Sequence, residues 1–72
     1  MWQKERPTEE GWYFWRKTKL MVDPWKWEAY FISNEGSEAE PDMRCWANVG
    51  VEVHWPTGGW WNRIAIPGQI PE

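Results

Sequence analysis

The sequence has 72 residues, a net charge of −3 and nine tryptophans. A chain of this length forms one domain, and its mild negative charge argues against a protein that binds the phosphate backbone of nucleic acids. The single cysteine, Cys45, excludes an internal disulfide, and the single histidine, His54, leaves too few ligands for a zinc site.

Neither a membrane span nor an export signal is visible in the sequence. No apolar run approaches the roughly 20 residues of a membrane-spanning helix, and residues 1–7 lack the apolar core of a signal peptide. We therefore expect a single β domain over residues 1–72, located in the cytoplasm, with no cofactor, no metal and no membrane partner.

The first half of the chain predicts an arm and two strands. Residues 1–10 are polar apart from Trp2 and predict an N-terminal arm. Residues 12–20 and 25–32 are rich in aromatic side chains, which favours two strands joined by residues 21–24. If this connection is tight, Leu20 faces Trp25 across the pair. The same register pairs Phe14 with Phe31, Trp15 with Tyr30 and Lys17 with Glu28.

Residues 33–42 form an acidic, turn-rich stretch with few apolar groups to bury, which predicts a mobile loop. Residues 43–47 favour a short strand, and residues 48–50 a kink or bulge before the next strand. Residues 67–72 contain two prolines and predict an extended tail outside the sheet.

The clearest hairpin pattern spans residues 49–66. Two runs of β-branched and aromatic residues flank a turn signal at residues 56–59. If the turn closes with Trp55 opposite Trp60, the register follows. On the predicted buried face it pairs Val51 with Ile64 and Val49 with Ile66; on the other face it pairs Glu52 with Arg63 and His54 with Trp61.

These elements predict an all-β fold. The arrangement is a small antiparallel meander of four to five strands, with curling into an open SH3-like barrel as the alternative to a flat sheet. Helical periodicity of useful length is absent from the sequence.

Three short motifs resemble a group of tryptophan-rich phage and prophage proteins of unknown function. They are Gly-Trp-Tyr-Phe-Trp-Arg at residues 11–16, Gly-Gly-Trp at residues 58–60 and Ile-Pro-Gly-Gln-Ile-Pro-Glu at residues 66–72. The resemblance implies no activity, but it favours an accessory phage protein directed at the host cell.

Catalytic and metal-binding patterns are weak. His54 lies near Glu52 on one strand, but no serine, cysteine or second carboxylate is placed to complete a nucleophilic site. Cys45 fits a small buried residue better than a reactive thiol. The acidic residues of the 33–42 stretch do not follow the spacing of a calcium-binding EF-hand loop. We expect a protein that is not an enzyme.

The surplus of aromatic side chains is the feature that points to binding. The two predicted registers place several aromatic residues away from the aliphatic core, beside a histidine and an arginine. This candidate binding face consists of Trp61, His54, Arg63, Trp15, Tyr13 and Tyr30. Tryptophan and tyrosine dominate interface hot spots, which favours a protein partner and a role as inhibitor or modulator.

Three alternatives stay open. The aromatic side chains could be platforms for a carbohydrate or for single-stranded nucleic acid, although the acidic charge argues against the latter. The protein could also associate with itself, as a homodimer or a structural component, through an edge strand. Finally, the same side chains could be a second packing layer with no partner.

Overall fold

The computed structural model describes residues 2–65, which form one open antiparallel β-sheet. Its strands are β1 (Gly11–Arg16), β2 (Glu28–Asn34), β3 (Met43–Ala47), β4 (Glu52–Val53) and β5 (Trp60–Ile64), with a 3-10 turn at Pro24–Lys26 between β1 and β2. The strand order is β4-β3-β2-β1-β5. The all-β antiparallel prediction is confirmed, and the sheet is not closed into a barrel. The tail at residues 67–72 lies outside the described residues.

Strand β1 is the centre of the aromatic part of the sheet. It pairs with β2 along one edge and with β5 along the other. Its alternating positions are all large: Tyr13 and Trp15 project to one face, Trp12 and Phe14 to the opposite face. Because both faces of β1 bury aromatic rings, the sheet has a packing layer on each side.

The register of β1 with β2 differs from the predicted one by two residues. Trp12, rather than Phe14, lies opposite Phe31, and Trp15 lies opposite Glu28. The connection is wider than predicted, because residues 24–26 form the 3-10 turn and β2 begins only at Glu28. A shift of two residues keeps each side chain on its predicted face.

The predicted hairpin is wrong over residues 49–65, and the predicted pair of Val49 with Ile66 lies outside the described residues. β4 pairs with β3 and β5 pairs with β1, so the two runs lie at opposite edges of the sheet. Residues 54–59 therefore cross the sheet instead of forming a tight turn. The physical reason lies in β1: pairing with β5 removes the second edge of this aromatic strand from solvent, which a local hairpin would leave open.

The charge pairs change with the strand pairing. Glu52 was expected opposite Arg63, but its carboxylate lies 3.3 Å from a guanidinium nitrogen of Arg44 on β3. Arg63 instead forms an ion pair of 2.6 Å with Glu9 of the N-terminal arm. Both pairs are largely solvent-exposed, so each contributes little to stability.

The core lies on the face of Tyr13. A cluster of Tyr13, Ile32, Cys45 and Trp61 is buried there, one residue from each of β1, β2, β3 and β5. Trp55, from the crossing connection, packs against this cluster. The connection thereby covers the core face of the sheet.

The N-terminal arm is held to the sheet by its backbone and by three cation–π contacts. The backbone of Gln3 exchanges two hydrogen bonds of 2.8 Å with Trp61. The guanidinium of the buried Arg16 lies 4.0 Å from the ring centroid of Trp2. The other two contacts place Lys4 over Trp60 and Arg6 over Trp55. The arm thus covers part of the exposed edge of β5.

Burial of Cys45 predicts a pH-dependent loss of stability. The thiol is 1% exposed, and burial raises its pKa from 9.0 to about 11. The folded protein thus holds the proton more tightly, so the unfolded chain loses it first as the pH rises from 9.0 to about 11. We expect this group to reduce the free energy of unfolding by about 1–3 kcal/mol over that range.

Urea denaturation across the same pH range, on the native protein and on Cys45→Ala, measures this effect. The variant should show a shallower decline, while both proteins share the decline due to Tyr30, whose pKa burial raises to about 12. Parallel declines in the two proteins would contradict the assignment to Cys45.

Candidate functional site

Two residues of the predicted binding face lie in the core. Trp61 is 1% exposed and Tyr13 is 4% exposed. The indole of Trp61 contacts the rings of three neighbours, Tyr13, Tyr30 and Trp55, at centroid distances of 5.7–6.3 Å. The expectation that Trp61 and Tyr13 form an exposed surface is therefore wrong, because the crossing connection covers their face.

Trp15 and Tyr30 share this face and are half-buried beside the same cluster. The indole nitrogen of Trp15 donates a hydrogen bond of 3.0 Å to the carbonyl oxygen of Gly58. The hydroxyl of Tyr30 donates to a carboxylate oxygen of Glu28 at 3.0 Å. Their polar atoms are engaged within the chain, which fits packing residues.

His54 and Arg63 are exposed but lie apart, since His54 follows β4 and Arg63 lies on β5, and these two strands form opposite edges of the sheet. His54 lines a shallow cavity with Glu52 and Val53. Arg63 lines a separate cavity of about 380 Å³ with Tyr13 and the arm. The six predicted residues thus share no single open surface.

A different aromatic surface lies on the opposite face of the sheet. Four cross-strand neighbours form a continuous row there, one from each of β5, β1, β2 and β3. The row consists of Ile64, Trp12, Phe31 and Trp46. Ile64 is buried, whereas the three aromatic residues are half-buried. We call the cavity over these three residues the aromatic groove.

The aromatic groove has a volume of about 460 Å³. Trp12 and Phe31 meet edge to face, with ring centroids 5.2 Å apart and planes inclined by 63°. The indole nitrogen of Trp46 donates a hydrogen bond of 2.8 Å to the buried hydroxyl of Ser33, which fixes the ring. The remaining lining comes from Glu35, Ala47, Asn48, Val49 and Gly50.

One end of the groove opens toward the acidic loop. Glu35, in the groove lining, is the first residue after β2, and Glu38, Glu40 and Asp42 follow. Asn34 closes this loop: its side-chain oxygen accepts hydrogen bonds from the backbone nitrogens of Gly36 and Asp42. The loop therefore carries four carboxylates in a turn with defined backbone bonds.

Arg44, on β3 just after the acidic loop, does not cancel this charge. Arg44 binds Asp42 at 2.8 Å and Glu52 at 3.3 Å. The hydrogen bond and charge of Asp42, followed by Glu52, raise the pKa of Arg44 above its usual value. Because Arg44 is shared between two carboxylates, Glu35, Glu38 and Glu40 keep this end of the groove negative.

Comparison with known proteins identifies no relative. No family model matches the chain, and no curated protein or solved structure matches it significantly. Among residues 2–65, no group of three or more histidine, cysteine, aspartate or glutamate side chains could hold a metal ion. The same residues contain no helix that is long and apolar enough to cross a membrane.

Trp12, Phe31 and Trp46 are not among the binding residues predicted from the sequence. The signal that could have found them is the composition of β1, where large aromatic residues occupy both alternating sets of positions. Side chains alternate between the two faces of a sheet, so when one aromatic face of such a strand packs in the core, the other remains available on the opposite side. The three residues come from separate strands, so only the register reveals that they adjoin.

Proposed function

We propose that this protein is a non-enzymatic binding module that holds a segment of a larger protein in the aromatic groove. The observation that carries the proposal is the row of half-buried Trp12, Phe31 and Trp46 beneath a cavity of about 460 Å³. Partly buried aromatic side chains in a concave site are typical of anchor pockets. The resemblance to phage proteins supports a host protein as the partner and a modulating role in the cytoplasm.

The chemistry of the groove selects the segment. Its floor is aromatic, which suits an aliphatic, aromatic or proline side chain. Its rim holds Glu35 and leads to the acidic loop, so a lysine or arginine beside the apolar anchor would meet complementary charge. We therefore propose a partner segment that places an apolar residue next to a basic one.

The alternative ligands fit the groove less well. Trp12 and Phe31 are inclined by 63°, so they do not present two parallel platforms to successive bases or sugars. The carboxylates at the rim would repel phosphates. The hydroxyl of Ser33 is buried and already accepts a hydrogen bond from Trp46, which reduces its use for a sugar hydroxyl.

Selection from a random peptide library against the immobilised protein tests the proposal. We expect the enriched peptides to combine an apolar anchor with lysine or arginine. The nine tryptophan indole N–H signals in a ¹⁵N spectrum then locate the peptide. Shifts concentrated on Trp12 and Trp46 support the groove; shifts confined to Trp25, or enrichment of acidic peptides, would overturn it.

A matched pair of substitutions tests whether the affinity for a selected peptide depends on the groove. Val49 lines the groove and is 85% exposed, whereas Leu20 is 88% exposed on another loop. Val49→Asp should weaken binding of a selected peptide at least about tenfold, because it introduces a charge into the apolar contact. Leu20→Asp should leave the affinity unchanged. Isothermal titration calorimetry of both variants measures the two affinities. Equal losses of affinity would contradict binding in the groove.

A further inference from the structure

The exposed apolar side chains of the described chain are gathered at one end of the sheet. Leu20 is 88% exposed, Val22 68% and Trp25 78%, all on the connection between β1 and β2. Two more, Val49 and Val51, lie on the connection between β3 and β4, which leaves the antiparallel sheet at the same end. Isolated apolar side chains are common on protein surfaces, but here several lie together.

Trp25 stands out among the nine tryptophans. All nine lie within residues 2–65, and Trp25 is the one whose side chain is exposed; the others are buried or half-buried. Together with Leu20 and Val22 on the same connection, it forms a group of exposed apolar side chains, which marks a candidate contact site.

Backbone hydrogen bonds fix the loop that carries these side chains. Within residues 17–27, the Met21 nitrogen donates to Thr18, and the Lys26 and Trp27 nitrogens donate to Asp23 and Pro24. The indole nitrogen of Trp27 donates a further bond of 2.6 Å to the Met21 carbonyl oxygen. The side chains of Leu20, Val22 and Trp25 are thus displayed from a closed loop, which we call the lysine–apolar loop.

The charge of this loop is opposite to that of the rest of the chain. The lysine–apolar loop contains three lysines, Lys17, Lys19 and Lys26, and one acidic residue, Asp23. Its net charge is therefore +2, while the whole chain carries −3. Lys26 lies 3.6 Å from Asp23, and Lys19 lies over the ring of Trp60. The acidic loop of residues 33–42 is at the opposite end of the sheet. The sheet therefore carries a basic, apolar loop at one end and an acidic loop at the other, with the exposed Glu28 beside the basic loop.

We infer that the lysine–apolar loop is a membrane-surface anchor that inserts Trp25, Leu20 and Val22 at the headgroup level of an anionic bilayer. Apolar side chains with tryptophan, flanked by lysine, are typical of segments that bind at the membrane interface. Lysines next to the surface add attraction to anionic lipids.

The composition favours a lipid surface over a protein partner for this loop. Tryptophan is enriched at both kinds of surface, but lysine is depleted in protein–protein interfaces, and leucine and valine are under-represented among hot spots. Both features suit a bilayer, where lysine meets the headgroups and the aliphatic side chains meet the acyl boundary. The sequence predicts no membrane partner because it contains no membrane-spanning segment. A loop that binds at the membrane surface does not require such a segment.

Vesicle co-sedimentation of the full chain tests the inference. We expect binding to phosphatidylcholine vesicles that contain phosphatidylserine, weak binding to phosphatidylcholine alone, and a loss of affinity as salt is raised. The double substitution Leu20→Ser and Trp25→Ser should reduce the partition coefficient at least about tenfold. Because both side chains are exposed, the variant should keep the thermal midpoint of the native protein.

Two further variants separate insertion from simple charge attraction. Trp25→Phe should retain most of the binding but lose most of the tryptophan quenching by lipids brominated in the acyl chains. Glu38→Gln with Glu40→Gln, at the acidic end, should leave vesicle binding unchanged.

Three results would overturn the inference: absence of binding to anionic vesicles at low salt, unchanged binding of the Leu20→Ser, Trp25→Ser protein, or unchanged quenching in Trp25→Phe. Loss of peptide binding by the double serine variant, without vesicle binding by the native chain, would instead assign the loop to a protein. The double serine variant keeps this test distinct from the proposed function, because neither Leu20 nor Trp25 lines the aromatic groove and the variant should still bind a selected peptide.

Discussion

Replacing Trp61 with alanine is expected to destabilise the fold by about 3–5 kcal/mol. The side chain is 1% exposed, and its ring contacts those of Tyr13, Tyr30 and Trp55. Alanine would leave a cavity at the point where β5 and the crossing connection meet the core. Because a domain of this size has little stability to spare, much of the variant should be unfolded at room temperature.

Trp25→Ala is the matched control for this prediction. It removes the same side chain from a site that is 78% exposed, so its effect on the free energy of unfolding should stay within about 0.5 kcal/mol. Urea denaturation of both variants, followed by circular dichroism, provides the comparison. If Trp61→Ala were as stable as Trp25→Ala, the core position of Trp61 would be refuted, and the expectation of an exposed Trp61 would regain support.

The all-β fold and the alternation of faces could be predicted from the sequence because both depend on local pattern. Tyr13, Trp15 and Tyr30 share one face as expected, since side chains alternate along each strand. Whether that face is buried or exposed could not be predicted. β1 and its neighbours have aromatic residues on both sides, so the pattern does not tell which side the crossing connection covers.

The pairing of β5 with β1 could not be predicted from local sequence patterns. The turn signal at residues 56–59 favours a hairpin, but pairing of β5 with β1 joins residues far apart in sequence, such as Trp12 and Ile64. Such a pairing is decided by what the whole sheet buries, not by the turn. The aromatic groove depends on the same long-range register, which explains why its residues were missed.

Gly59→Ala should destabilise the protein by about 2–5 kcal/mol, because two penalties coincide there. Gly59 has a φ of +77°, a conformation that costs a residue with a Cβ atom about 1–2 kcal/mol. A Cβ atom would also collide with the indole of Trp15 and lie 2.7 Å from the carbonyl oxygen of Arg16. Overpacking of this kind adds about 1–3 kcal/mol.

Gly58→Ala isolates the first penalty. Gly58 has a φ of +65°, and a Cβ atom there would meet nothing within 4 Å. We therefore expect a cost of only about 1–2 kcal/mol for Gly58→Ala, measured by urea denaturation beside Gly59→Ala. Equal costs at the two sites would contradict the close approach of Gly59 to β1.

A double substitution shows whether the collision is with Trp15. Trp15→Phe removes the indole nitrogen that an added Cβ would strike, together with its hydrogen bond to Gly58. In that background Gly59→Ala should cost less than in the native protein, so the two effects should be non-additive. The contact with the Arg16 carbonyl oxygen remains, and the rescue should therefore be partial. Simple additivity would contradict a collision of the added Cβ atom with the indole of Trp15.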